Sequence, residues 1–187
     1  MTMNWKAGVH DSERVAALDR SGLVGTGPED AFDRLVEFAA ELTGADRCCI
    51  TLLDDHCFTY KSTTGMAEGS ARSGNVADSF CRYVVGVGRP LIVNDAHEDP
   101  RVLDNPAIDL YGVASWAGYP IHALDGSILG TFCMIGTTPH TWTEQEILIL
   151  ATMAQSVSSE IALRKVREEL VEVRRELDEL RGTRQSA

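Results

Sequence analysis

The sequence predicts an α+β fold in which helical stretches at the two ends enclose a middle section of short strands. Three observations carry this. Phe32, Leu35, Val36, Ala39 and Leu42 recur at helical spacing; between 48 and 136 the apolar residues form short runs bounded by Gly, Asp, Asn and Pro; and from Thr143 one helical pattern continues to about Leu180. A chain of 187 residues is long enough to bury one core without a metal or disulfide.

Each element has a local cause. Residues 1–27 are polar and Gly-spotted, with a short amphipathic piece (Val15, Ala16, Leu18) ending at Ser21-Gly22, and read as an accessory lead-in. Gly27-Pro28-Glu29-Asp30 starts the next helix: a first-turn proline gives up an amide that has no partner, and the acids suit the positive end of the helix dipole. Gly44 stops it. Cys48 to Leu53 and Phe58 to Ser62 read as a hairpin around Asp54-Asp55, and Gly65 to Gly74 as an exposed loop. Ala77 to Val85 has helical spacing and meets Gly86; Leu91 to Val93 is a strand; Asn94 to Leu110, with its Asp-Pro and Asn-Pro steps, is a long loop carrying a helical turn. Two longer strands, Val113 to Ile121 and Ile128 to Gly136, are joined through Asp125-Gly126, a strong hairpin signal.

The last helix opens on a capping box, Thr143 with Glu146. Its apolar residues first follow Leu150, Ala154, Val157 and Ile161. They then shift to Leu163, Val166, Leu170, Val173, Leu177 and Leu180, a heptad seam with the leucines 163, 170 and 177 at position a. The offset rotates the apolar stripe, as expected of a helix that lies on its own sheet first and on a partner chain afterwards. In this register Glu169 and Glu176 occupy g, and Arg167, Arg174 and Arg181 occupy e. A parallel pair sets Glu169 against Arg174 and Glu176 against Arg181, whereas an antiparallel pair opposes like charges, so a parallel homodimer is expected. The alternative is a solvated amphipathic helix with same-chain ion pairs. Leu at a with Val at d does not choose two strands over more.

Composition narrows function. The chain has 17 basic against 28 acidic residues and a net charge of −11, so a general grip on nucleic-acid phosphates is not expected. No apolar run approaches the about 18–20 residues of a bilayer span, and the first ten residues lack a signal-peptide core, so no membrane is expected and the cytoplasm is the expected location. Five cysteines with no C-x-x-C pair indicate no disulfide framework; Cys48, Cys49 and Cys133 sit in strand-like runs as small buried hydrophobes. No nucleophile elbow, phosphate loop or dinucleotide fingerprint is present. His97-Glu98-Asp99-Pro100-Arg101 lacks the second histidine of a zinc helix and contains a helix-breaking proline, so it reads as a turn capped by Asp95 and Asp99. His56-Cys57 has no second ligand pair, and His122 and His140 stand at strand ends. No metal site and no catalytic residue is assigned, and no cofactor is identified.

What remains is concavity. The long loop and the short helix of Phe80, Cys81 and Val84 are expected to fold over one sheet face, with a pocket beneath them. Phe80, Cys81, Val84, Ile92 and Trp116 are the candidate lining residues, with packing alone as the alternative. Trp116 and Tyr119 differ by an odd number and should face opposite ways.

Several segments in order then resemble one family: Gly27 to Leu35, Ile50-Thr51-Leu52-Leu53-Asp54, Lys61-Ser62, Ser79-Phe80-Cys81, Arg89 to Ala96, Asp99-Pro100-Arg101, Asn105-Pro106, Trp116 to Ile121 and Leu129 to Ile135. Together they resemble the bacterial sensory GAF domain over residues 12–165. The resemblance implies a central antiparallel sheet of five or six strands, a ligand-side cap of short helices and loops, and the terminal helices on the opposite face. It divides the chain into a lead-in at 1–27, the sensory domain at 28–162 and a signalling coiled coil and tail at 163–187. It also implies a non-catalytic sensor of a small molecule or of redox state, whose dimeric helix regulates an output. No output domain follows Leu180, so the expected partner is a second protein or the rest of a longer chain. Cys81 is followed by Arg82 where bilin-binding relatives have His, and the Asp55-His56-Cys57-Phe58 string lies in a different segment from its photoreceptor counterpart. The acidic and aromatic constellation of cyclic-nucleotide relatives is not traceable. Free methionine sulfoxide reductases are the enzymatic relatives and the alternative function; Cys81 falls near one of their redox cysteines, but Asp99 to Asp109 contains none where their reactive thiol belongs. A ligand-free dimerisation module is the other alternative.

Overall fold

The computed structural model describes residues 4–67 and 69–185. The first three residues, residue 68 in the Gly65–Gly74 loop, and the end of the predicted tail at 186–187 lie outside the described residues. Helices α1 (Lys6–Val9), α2 (Ser12–Arg20) and α3 (Asp30–Thr43) precede strands β1 (Arg47–Leu53), β2 (Cys57–Thr63) and β3 (Ser73–Asn75). A 3₁₀ turn at Val76–Asp78 then leads into α4 (Cys81–Val87), β4 (Leu91–Val93), α5 (Ala107–Tyr111), β5 (Ser115–His122), β6 (Ile128–Gly136) and α6 (Glu144–Gln185). The sheet is antiparallel throughout in the order β3-β2-β1-β6-β5-β4.

Strand pleating sorts the core into two layers. Cys49 and Leu53 of β1, Trp116 of β5, and Cys133 and Ile135 of β6 face the cap, where they meet Phe80, Val84, Val102 and Ile108. Cys48, Ile50, Leu52, Ala117, Phe132 and Met134 face α2, α3 and α6. The same alternation puts Trp116 on the cap side and Tyr119 on the helix side, as their spacing requires. All five cysteines are free thiols.

Most boundary signals act as read. Gly44 ends α3 in the left-handed region at φ 65°. Thr143 and Glu146 close the capping box, with the Thr143 amide 2.7 Å from Glu146 Oε2 and the Glu146 amide 3.2 Å from Thr143 Oγ1. Asp95 and Asp99 accept from the amides of His97 and Arg101 at 2.9 and 3.0 Å, which makes that segment a turn.

Three local expectations change, each through a long-range contact. The Gly65–Gly74 loop ends in an edge strand, because Gly74 lets β3 lie against the Phe58 ring; a Cβ there would stand 2.7 Å from Phe58 Cε1. The helix expected to meet Gly86 runs through it to Gly88. Gly86 and Gly8 instead form a close crossing of α4 and α1, where a Cβ on Gly86 would lie 2.3 Å from the Trp5 carbonyl oxygen. The lead-in is part of the core rather than accessory: Val9, Leu18 and Leu23 are buried, and Arg14 donates to the carbonyls of Val9 at 2.7 Å and Leu53 at 2.6 Å.

The crossing makes a sign test. Gly→Ala in a helix gains about 1 kcal/mol from propensity, while overpacking a tight contact costs about 1–3 kcal/mol. Gly86→Ala should therefore lower the urea midpoint and blue- or red-shift Trp5 fluorescence; a raised midpoint would exclude the close approach.

Helix α6 shows the predicted rotation. Leu150, Ala154, Val157 and Ile161 are buried against the domain, and from Leu163 onward every seam residue is exposed. The expectation that nothing here has the span of a bilayer needs one correction: within Glu144–Arg181 an 18-residue window has a mean hydropathy of 1.3, long and apolar enough to cross a membrane. Serines and Thr152 interrupt the apolar residues without lowering that mean far, and the apolar side of this stretch is the one laid on β5 and β6.

Candidate functional site

A cleft opens between the sheet and the cap at the end of β1 and β2 where β1 begins. Its outer part holds about 460 Å³ and is walled by Phe58 and Tyr60 of β2, Tyr111 of α5, Met66 and Ser70 of the loop, and Arg47 at the start of β1. Arg47, Phe58, Tyr60 and Tyr111 continue into a narrow inner end of about 20 Å³, which reaches Thr51, Asp78, Ser79, Phe80, Cys81, Trp116 and Cys133. A groove of about 610 Å³ between α3 and α6 is larger but open and edged by Arg34, Glu37, Glu41 and Glu160. The aromatic cleft, less open than the groove and continuing into the core, is the better small-molecule site.

Of the five residues expected to line a pocket, Phe80, Cys81 and Trp116 come together at the inner end. Phe80 stacks on Trp116 with centroids 5.8 Å apart. Val84 is buried in the same layer without lining the cleft, and Ile92 packs with the layer on the opposite face. Ile92 alternates with Leu91 and Val93, both on the cap side, so the pleat turns it away. The residues not singled out from sequence are Arg47, Tyr60, Asp78 and Tyr111. Part of the signal was present, since Phe58 and Tyr60 share a strand face with period two.

The polar groups of the cleft differ in how far they are already used. Asp46 accepts from the Thr137 amide and hydroxyl at 2.8 and 2.7 Å, and these bonds hold its carboxyl below the usual range. Arg47 makes one hydrogen bond among the described residues, from Nη2 to the Tyr111 carbonyl at 3.1 Å. Neither the Asp78 carboxylate nor the Tyr60 hydroxyl has a hydrogen-bond partner among the described residues. Burial pushes the Tyr60 phenol up, so it stays a donor at neutral pH.

The thiols form a second polar layer at the bottom. Cys49 and Cys133 are directly opposite on β1 and β6, and Thr131 donates to Cys81 Sγ at 3.0 Å. Burial raises the Cys81 thiol, but hydrogen bonds from Cys133, Ser79, Thr131 and Thr51 outweigh it and leave Cys81 below its ordinary value. Cys133 moves the other way, through its bonds to Cys49 and Cys81 and through burial. Cys57, at the hairpin, is unlike these: its Sγ donates to Asp54 at 2.8 Å, which with burial pushes the thiol up to about 11.

A β-bulge links this cleft to α6. Thr51 pairs with Tyr60 and Ile50 with Ser62, so Lys61 is the extra residue of β2. Tyr60 faces the cleft while Lys61 and Ser62 both turn to α3, where Ser62 donates to Asp33. The Lys61 side chain is 1% exposed, and its Nζ donates to Glu29 Oε1 at 2.6 Å, Thr26 Oγ1 at 2.6 Å and the Gly27 carbonyl at 2.8 Å. Glu29 Oε2 lies 3.3 Å from Arg164 Nε, and Arg164 Nη1 donates to the Ser21 carbonyl at 2.9 Å. The Glu29 side chain is thus committed to Lys61 and makes no cap bond at the start of α3. Arg164 follows Leu163 in α6, so the cleft-lining Tyr60 and the bulge residue Lys61 are connected to the long helix through Glu29 and Arg164.

Known proteins share this fold. The GAF domain family model matches residues 27–161. A cyclic di-GMP phosphodiesterase of Pseudomonas aeruginosa is 27% identical over 154 residues, which make up 81% of this chain and 26% of that protein. The GAF domain of Thermosynechococcus elongatus PixJ, in its blue-light absorbing form, superposes with a TM-score of 0.64 at 19% identity over 87% of this chain and 95% of that one. A type II free methionine-R-sulfoxide reductase of Thermoplasma acidophilum superposes with a TM-score of 0.56 at 14% identity over 69% of this chain and 88% of that one. At these identities the two superpositions speak for the fold alone. The family match, over the strands and helices that build the cleft, makes this chain a member of the GAF domain family.

Proposed function

We propose that this chain is a non-catalytic, cytoplasmic sensory domain that binds a small molecule in the cleft and signals through a parallel dimer of α6. One observation carries the binding half: an aromatic cleft whose Arg47, Tyr60 and Asp78 have hydrogen-bonding capacity left over. Native mass spectrometry of protein purified from its source should find a retained small molecule. A cleft that is empty under those conditions counts against the sensor and for a ligand-free dimerisation module.

The dimer rests on charge placement. Outward positions pair within the helix, Arg175 with Glu172 at 2.5 Å and with Glu179 at 3.3 Å. Glu169, Arg174 and Glu176 make no ion pair among the described residues, and Arg181 only a long one, 3.9 Å from Asp178. Arg167, the first e residue, lies 3.6 Å from Glu160 of its own helix, so Glu169, Arg174, Glu176 and Arg181 are the g and e groups left for a second chain. Leu163, Val166, Leu170, Val173, Leu177 and Leu180 form the exposed seam, and Phe38 and Leu42 of α3 add apolar surface on the domain itself, each 50% exposed. Replacing Glu169 and Glu176 by Arg should weaken association at low salt. Unchanged sedimentation between wild type and the double variant would remove the charge pairing.

Occupancy of the cleft would shift two arrangements of α6 through Lys61, Glu29 and Arg164. The output is a partner or linked domain, and the name of the Pseudomonas relative makes cyclic di-GMP hydrolysis the first activity to assay. A second reading, reduction of free methionine sulfoxide, has in its favour the place of Cys81 at the inner end of the cleft, where Thr131 donates to its sulfur. NADPH-coupled turnover abolished by Cys81→Ser would establish it in place of the sensor.

A further inference from the structure

The cleft carries more chemical information than the presence of a ligand. Its walls bring one cation and one anion to the same narrow end without pairing them: Arg47 and Asp78 both line the inner cavity, and no ion pair joins them. The other carboxylate, Asp46 at the outer lip, already accepts two hydrogen bonds from Thr137 through Oδ2. Among the described residues Arg47 has one acceptor, a carbonyl, for five N–H donors, and Tyr60 adds a hydroxyl without a partner there on the same side of the sheet. Phe58, Tyr60 and Tyr111 supply ring faces and edges, with Phe58 and Tyr60 packed edge to face at 5.2 Å.

We propose that the cleft recognises an apolar zwitterion of the α-amino-acid class, its carboxylate on Arg47 and Tyr60, its ammonium on Asp78 and its apolar body among the aromatic rings. The proposal rests on the binding role argued above and adds the ligand's chemistry to it. A purely anionic ligand leaves Asp78 opposed to it, and a purely cationic one leaves Arg47 opposed; either like-charge contact in a low-dielectric cleft is unfavourable. A neutral apolar ligand strips water from both charges and returns no hydrogen bonds. A zwitterion satisfies both, and guanidinium geometry suits a carboxylate while ring faces suit an ammonium. The outer volume of about 460 Å³ accommodates a side chain of leucine or phenylalanine size.

Calorimetric titration of the full chain with L-phenylalanine and L-leucine, against hydrocinnamate and isocaproate lacking the ammonium and phenethylamine and isoamylamine lacking the carboxylate, tests this. At least one amino acid should bind saturably and about tenfold or more tighter than both of its analogues, one charge-assisted contact being worth that much. Asp78→Asn, at a side chain with no hydrogen bond to disrupt, should remove this preference over the deaminated analogue, both by weakening the amino acid and by tightening the analogue, whose carboxylate no longer faces a like charge. Arg47→Gln should remove the preference over the amine. Equal binding of an analogue, preferences untouched by both substitutions, or no binding of any of the six compounds would overturn the proposal. If native mass spectrometry then shows another retained molecule, only the zwitterion falls; if the cleft is empty by both measures, the sensory reading falls with it.

Discussion

Trp116→Ala should destabilise the domain by about 3–5 kcal/mol, the usual cost of removing a fully buried indole. Trp116 is 1% exposed, stacks on Phe80 and closes the inner end of the cleft. Its ring also occupies the space above Gly118, where a Cβ would meet Trp116 Cη2 at 2.2 Å. The two positions should therefore be strongly coupled: Gly118→Ala is harmful beside the indole and tolerated once the indole is gone. Urea denaturation of both single variants and the double variant measures this as a mutant cycle. Additive losses would mean that the ring does not lie over Gly118.

Glu29→Ala should cost about 3 kcal/mol, because it leaves the ammonium of Lys61 buried without its carboxylate. The side chain of Glu29 is itself 32% exposed, so the loss is attributed to Lys61 and not to burial of the acid. Lys61→Met, by contrast, removes the buried charge and keeps a side chain of similar length; it should cost clearly less. The same pair sets a pH dependence. Burial raises the Glu29 carboxyl, but Lys61 and Arg164 outweigh that and hold it below its ordinary value of 4.5. A depressed carboxyl contributes stability that is complete above the unfolded value and is lost as pH falls through the folded one, so the contribution should fade below about pH 4.5. Glu29→Gln should flatten that acid limb. Should Lys61→Met prove the more damaging change, the ammonium is not the group that needs compensation.

These experiments separate structural from signalling roles. Lys61→Met keeps the bulge of β2 but cuts the ionic route to Arg164 and α6. If that route transmits occupancy, ligand binding survives the change while its effect on α6 association does not.

Much of the architecture was legible because it rests on short-range causes. Helix starts and stops, the Asp125-Gly126 hairpin and the capping box depend on residues within a few positions of one another. The strand pleat likewise assigned Trp116 and Tyr119 to opposite layers from parity alone. The change along α6 from buried Leu150, Ala154, Val157 and Ile161 to exposed Leu163 and beyond was readable for the same reason, since a helix repeats its faces regularly.

The cleft was only half legible. Phe80, Cys81 and Trp116 lie near the cap in sequence, and concavity could be inferred there. Arg47, Tyr60 and Asp78 reach the same cavity from β1, β2 and the 3₁₀ turn, and only strand order brings them together. Ile92 was misplaced because three residues of strand give too little pattern to fix which way the pleat faces. Lys61 lies in a segment that resembles the family, but its direction is not legible, because a bulge shifts side-chain parity without any mark in the local sequence. Local stereochemistry thus determined the elements and the two-layer core of this chain. Tertiary packing decided which polar groups share the cleft unpaired, and that a buried lysine ties its wall to the long helix, because both depend on contacts between residues tens of positions apart.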